Sequence, residues 1–172
     1  MKKGIIIAGF ATVGKSYLGK KYSNVIDLES SNYKHYSDDL KNIPVEVRKG
    51  INREINNDWP MNYYKAILEA VTNYDVVLVQ LKPEHFDYFD KHNIRYCIAY
   101  PDINDWDIVY NKCKKRGNND KFINRLEEVF IPYYEDVIKR NFDKLYIINR
   151  NKNLEDILLE DGIKLKKSWE NF

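Results

Sequence analysis

An eight-residue pattern near the start constrains this chain more than anything else in it. Gly9-Phe10-Ala11-Thr12-Val13-Gly14-Lys15-Ser16 follows the apolar run Ile5-Ile6-Ile7-Ala8 and leads into a helical segment. It fits G-x-x-x-x-G-K-[ST], the Walker A pattern, at every fixed position. Glycine at 9 and 14 admits backbone angles that a side chain would forbid. Ala11, Thr12 and Val13 can then aim successive N–H groups at phosphates, at the positive end of a helix opening with Lys15, Ser16 and Tyr17. Lys15 is expected to reach the β- and γ-phosphates, and the Ser16 hydroxyl to bind Mg²⁺. In 172 residues a chance match is roughly a 1-in-200 event. The pattern therefore predicts a strand–loop–helix unit that binds ATP with Mg²⁺.

Five apolar runs read as strands: 4–10, 24–29, 75–81, 94–100 and 144–149. Most are continuous rather than alternating, as suits strands covered on both faces of a parallel sheet. Helical patterns lie between them at 15–22, 62–73, 83–92, 105–116, 122–140 and 154–160. The segment 105–116 carries Trp106, Val109, Tyr110 and Cys113 on one face. The alternation predicts a doubly wound α/β domain with right-handed crossovers. The whole chain, 1–172, reads as one such domain, since its length leaves no room for two. In this architecture ligands sit beyond the carboxyl ends of the strands. A polar stretch at 33–57 reads as an insertion able to cover a substrate.

With 28 basic and 26 acidic residues the net charge is +2, too balanced for a nucleic-acid footprint or an anionic membrane surface. No apolar run approaches a membrane span or a secretion signal. Cys97 and Cys113 make no disulfide framework and read as core. A cytoplasmic setting is expected. Oligomeric state is not legible.

The second strand ends in Asp27-Leu28-Glu29-Ser30-Ser31. Asp27 and Glu29 are two apart, so on a strand they share a face beside the phosphate loop. Such acids accept a proton from a hydroxyl, hold it in line, or orient water on a metal; an acidic helix cap is the other reading. Asp27 is assigned to the metal with Ser16, and Glu29 to the substrate, with the roles open to exchange. The third strand ends in Gln80, where many phosphate-loop proteins carry a metal-binding aspartate, which argues against a motor-type ATPase or a GTPase.

The lysine-rich end Lys112-Cys113-Lys114-Lys115-Arg116-Gly117 joins two helices and reads as a short lid over 112–125. Arg116 would neutralise charge developing during transfer, with Arg125 second; a solvated helix end is the alternative. Trp59 and Tyr63 at a helix start either stack on a base or staple the helix to the core. Arg48 and Arg53 are candidates for a substrate phosphate, beside Glu29 and Ser30. His35, His85 and His92 read as surface residues, and the segment 164–167 as a solvated tail.

These segments resemble the nucleoside monophosphate kinase and shikimate kinase group, in particular small adenylate kinase-like proteins of bacteria and phages. The carriers are the loop 9–16, the strand with its paired acids, Asp58-Trp59-Pro60 with Asn62-Tyr63, and Arg116-Gly117-Asn118. Thr12 departs from the group, which often has glycine there, and the lid bears one arginine near its start. The resemblance implies a three-layer P-loop NTPase fold with five parallel strands in the order 2-3-1-4-5, flanked by helices. It also implies an ATP·Mg²⁺ donor and transfer of the γ-phosphoryl group to a small acceptor. A nucleoside monophosphate or deoxynucleotide is the leading acceptor. The alternatives are a small hydroxylated metabolite, or a nucleotide-binding regulatory module with little catalysis.

Overall fold

The computed structural model describes residues 3–36, 43–44 and 53–171. Its centre is a five-stranded, all-parallel sheet in the order β2-β3-β1-β4-β5, as expected. The strands are β1 (Ile5–Gly9), β2 (Val25–Asp27), β3 (Val76–Gln80), β4 (Cys97–Pro101) and β5 (Leu145–Ile148). Continuous apolar runs mark the central strands because both of their faces are covered: Ile7, Val76, Val77, Leu78, Val79 and Ile98 are buried. Register pairs Gly9 with Gln80 and with Ala99, so the carboxyl ends of β1, β3 and β4 lie side by side.

The helices are α1 (Lys15–Lys21), α2 (Ser31–Lys34), α3 (Met61–Asn73), α4 (Pro83–Lys91), α5 (Trp106–Lys115), α6 (Asp120–Val137) and α7 (Leu154–Glu160). α1 packs on β2 and β3, α3 on β1 and β3, and α7 on β5, while α4 and α5 each meet α6. α3 buries Tyr63, Tyr64, Ile67, Ala70 and Val71, the stripe expected of a helix with one apolar face. α6 keeps Pro132 inside its 18 residues. On α5 the expected apolar face is narrower, because Tyr110 is exposed. β4 starts three residues later than its apolar run suggests. Asn93 turns left-handed (φ 53°) and the Ile94 N–H returns to the Phe89 carbonyl, which spends this stretch on closing α4.

The C-terminal segment differs from the solvated tail read from sequence. Lys164 and Lys166 are exposed, but the backbone of the segment is fastened to the residues just before β2. Ser23 N–H donates to the Lys166 carbonyl. Asn24, 8% exposed, donates to the Lys164 carbonyl and Asp75 and accepts from Lys166 N–H. The strap is fastened to the residues just before the edge strand β2, where Tyr22 also bridges Lys167. Among the described residues, no helix is long and apolar enough to cross a membrane.

Candidate active site

β1 delivers the chain to the phosphate loop, whose start is fixed on two sides. Phe10 N–H donates to the Ala99 carbonyl, and Leu81 N–H to the Gly9 carbonyl. The two glycines serve different needs, which corrects the shared role expected of them. Gly14 is left-handed (φ 103°) and caps α1. Gly9 has no left-handed φ, but a β-carbon there would sit 2.7 Å from Val13 Cγ2 and 3.2 Å from Lys15 Cδ, so crowding by the loop requires glycine. Thr12 has φ 72°, a strained region for a β-branched residue, at the position where glycine is common in the group resembled. The Lys15 ammonium folds back over the loop, donating to the carbonyls of Gly9 (2.7 Å) and Phe10 (3.1 Å).

The two second-strand acids face the loop across one open cleft of about 490 Å³. Ser16 Oγ donates to Asp27 Oδ2 at 3.1 Å, so the hydroxyl and carboxylate expected to share a metal already meet. Glu29 lies beyond the end of β2 and also lines the cleft; its Oε1 accepts from Ser31 N–H at 3.3 Å. Ser30 is buried at the N-cap position of α2, without a side-chain capping bond. Mg²⁺ takes one or two protein oxygens and fills its remaining positions with phosphate oxygens and water. The Ser16–Asp27 pair fits that demand. A cage of three or more protein ligands is absent among the described residues.

The opposite wall is the connector between α5 and α6. Arg116 ends α5, Gly117 turns left-handed, and Asn118 N–H returns to the Cys113 carbonyl. The Asn119 side chain then accepts from Phe122 N–H and caps α6. Arg116, Asn118 and Phe122 line the cleft. Arg125 is exposed, one turn beyond Phe122. Lys112 reaches further than sequence suggested: its ammonium lies 3.5 Å from the Thr12 carbonyl. Burial first, then the neighbouring Arg116, lowers its pKa.

Sequence reasoning missed a second opening. About 470 Å³ lies on the other side of the loop, lined by Tyr17, Lys112, Arg116, Asn153, Leu154 and Glu155. Asn153 caps α7 in a reciprocal box with Asp156. The Glu155 carboxylate is fixed by Lys21 at 2.6 Å and by the Tyr22 hydroxyl. The available signal was the Asn-x-x-Asp helix start just beyond the last strand, at the sheet edge where ligands collect.

On the β3 side the structure separates packing residues from exposed ones. Tyr63 is fully buried; its hydroxyl donates to the Leu28 carbonyl (2.9 Å) and accepts from Gln80 N–H (3.0 Å). It is a brace between strand ends and does not line the cleft. Trp59 stacks on Tyr63 and meets His85 edge-on, with ring centroids 5.5 and 5.8 Å away, which is the staple arrangement. His85 is 2% exposed, contrary to the surface placement expected of it. Its Nδ1 lies 3.0 Å from the Tyr64 hydroxyl and its Nε2 3.3 Å from Gln80 Oε1. Burial above all, with help from Lys82, pushes its pKa down to about 4, so it is a neutral ring at ordinary pH. Arg53 is half-buried near the insertion's return, where His35 bridges Ile55. Arg48 and most of 33–57 lie outside the described residues. Cys97 and Cys113 are buried thiols.

No protein-family model matches the chain, and no curated protein does. Among solved structures it is similar to a tunicamycin resistance protein from Deinococcus radiodurans. The identity is 12%, the coverage 95% of this chain and 98% of that one, and the TM-score 0.51. A gluconokinase from Sinorhizobium meliloti 1021 aligns at 15% identity over 92% of this chain and 89% of that one, with a TM-score of 0.44. The first likeness carries the fold. With the strand order and the loop in its strand–loop–helix setting, the chain has the three-layer P-loop NTPase fold.

Proposed function

We propose that the protein is a phosphotransferase that moves the γ-phosphoryl group of ATP onto a hydroxyl of a small molecule. The observation that carries this reading is one cleft that gathers Lys15, the Ser16–Asp27 pair at 3.1 Å, Glu29 and Arg116. The second opening, on the α7 side of the loop, suits the donor's base and ribose. Arg116 lines both this opening and the transfer cleft, and Lys112 lines this opening.

In this reading the loop N–H groups hold the phosphates, and the Lys15 ammonium leaves its two carbonyls for the β- and γ-phosphate oxygens. A Mg²⁺ ion held at Ser16 and Asp27 supplies charge neutralisation on those phosphates. Glu29 accepts the acceptor's hydroxyl proton as its oxygen bonds to the γ-phosphorus. The bond from that phosphorus to the bridging oxygen breaks, and ADP leaves with the bonding pair. Arg116 lies where charge on the transferred group can be met.

A hydroxyl acceptor is favoured over a nucleoside monophosphate because Tyr63 is interior and Trp59 is engaged with it and with His85. The base-stacking platform expected for a nucleotide is therefore occupied by packing. A coupled ADP-release assay with ATP·Mg²⁺ tests the reading. The panel holds sugars, polyols, hydroxy acids and all common ribo- and deoxyribonucleoside monophosphates, with Lys15→Ala as the blank. Turnover with a hydroxylated metabolite supports it, and turnover with mononucleotides alone replaces it with the nucleotide reading. A silent panel with ATP still bound points to a regulatory module.

A further inference from the structure

The reaction as described leaves the last residue of the third strand unused. Gln80 stands where many phosphate-loop proteins carry a metal-binding aspartate, and its backbone is pinned between the two halves of the site. On one side it is the register partner of Gly9. The Gly9 carbonyl accepts from the Lys15 ammonium at 2.7 Å and from Leu81 N–H at 3.3 Å. The peptide that follows Gln80 and the lysine expected to reach the phosphates therefore meet on one oxygen. On the other side Gln80 N–H donates to the Tyr63 hydroxyl at 3.0 Å, which donates in turn to the Leu28 carbonyl at 2.9 Å. Leu28 is the residue between Asp27 and Glu29.

A buried relay orients the side chain. The His85 ring, 2% exposed, has Nδ1 3.0 Å from the Tyr64 hydroxyl and Nε2 3.3 Å from Gln80 Oε1. A neutral imidazole offers one donor and one acceptor. The Tyr64 hydroxyl lies nearer to Nδ1 than to the Glu84 carbonyl, 3.5 Å away, so it donates to Nδ1. Nε2 then carries the ring proton and donates to Gln80 Oε1. Burial keeps the ring neutral at ordinary pH, which preserves this direction of bonding. The carboxamide thus has its oxygen engaged and two N–H donors left over, and among the described residues nothing receives them. Gln80 is only half-buried, so the nitrogen stays within reach of a ligand. Amide N–H groups cannot ligate a cation, but they form charge-assisted hydrogen bonds with an anion.

We propose that Gln80 is a direct contact to the γ-phosphate: with its oxygen held by His85, its amide nitrogen donates to an oxygen of the phosphoryl group that is transferred, and His85 and Tyr64 are positioning residues behind it. The place of a metal-binding carboxylate is taken by a phosphate donor, and the metal is left to Ser16 and Asp27. The inference rests on the ATP-binding part of the phosphotransferase reading and is independent of the acceptor.

The test is calorimetric titration of the full chain with the Mg²⁺ complexes of a non-hydrolysable ATP analogue and of ADP, which differ in the γ-phosphate. Gln80→Leu should weaken the analogue about tenfold or more and leave ADP within about twofold, and retained ADP affinity reports that the variant is folded. Gln80→Glu should weaken the analogue at least as much, because a carboxylate repels phosphate. His85→Leu should weaken the analogue by a smaller factor in the same selective way. His85→Gln, which keeps a donor near the place of Nε2, should restore most of that loss. An equal loss of both nucleotides, or no loss of either, would overturn the contact. Analogue binding by Gln80→Glu as tight as the parent's would mean that the oxygen and not the nitrogen faces the phosphates, and would overturn it as well. A parent chain that binds neither nucleotide would overturn the phosphotransferase reading and this contact with it, whereas a loss confined to the analogue beside a silent kinase panel would uphold the contact and leave a nucleotide-binding module.

Discussion

The phosphate loop and the segment that follows β3 occupy neighbouring places at the same edge of the sheet, yet their lysines are held in opposite ways. Lys15 rests on two backbone carbonyls, which it would exchange for phosphate in the proposed reaction. Lys82 is half-buried, and burial first, then Lys34, hold its pKa down against the opposing pull of Glu84. A phosphate chain is the same chemical object in every donor, so backbone N–H groups and one ammonium can be arranged for it in advance. An acceptor differs from protein to protein and is met by side chains.

The largest effect should come from the loop. Lys15→Ala is expected to lower kcat/KM by about a thousandfold or more, about 4 kcal/mol of transition-state stabilisation, with the melting temperature little changed. Turnover near the parent level would break the comparison at its firmer end. Glu29→Gln should reduce kcat by a hundredfold or so, while ATP affinity, followed by calorimetry, stays put. An equal loss of ATP affinity would move Glu29 to the donor side.

Next comes the buried ring between the two sides. His85 takes a proton only near pH 4 in the folded protein, against 6.5 in its ordinary state. As pH falls from 6.5 toward 4, the unfolded chain binds a proton that the folded one refuses, so stability is lost across that window, by up to about 3 kcal/mol. Urea unfolding at several pH values should show this slope, and His85→Phe should flatten it. Tyr63→Phe leaves Leu28 O and Gln80 N–H without their buried partner and should cost about 1–3 kcal/mol of stability with KM for the acceptor unchanged. A large change in KM would return Tyr63 to the substrate. The smallest effect is at Thr12, where glycine would relieve a left-handed φ of 72°. Thr12→Gly should raise stability by no more than about 1 kcal/mol, relief of strain being partly offset by chain entropy. A loss of that size would mean the threonine side chain contributes contacts of its own.

How much the sequence revealed follows the same divide. The loop is legible because its chemistry lies in eight consecutive residues, and the central strands because burial on both faces leaves continuous apolar runs. Asp27 and Glu29 could be placed near the loop once β2 was known to end there. The residues around Tyr63 could not, since its hydroxyl partners lie 35 and 17 positions away. His85 looked like a surface residue because its type is usually polar; Tyr64, 21 positions away, and Gln80 supply the bonds that let it be buried. The second opening depends on Lys21 and Glu155, separated by 134 positions, a distance that no local pattern spans.

The strap at the C-terminal end has a mechanical consequence. Its backbone is hooked to Asn24 through the carbonyl of Lys164 and the N–H of Lys166, and Asn24 stands three positions before Asp27 in the shortest strand of the sheet. A pull on the last residues, from a tether or a bound surface, would load that hook before it loaded the interior. The first functional group to be dragged out of line would be the carboxylate paired with Ser16, so the chain carries a short lever between its tail and the edge proposed to hold the metal.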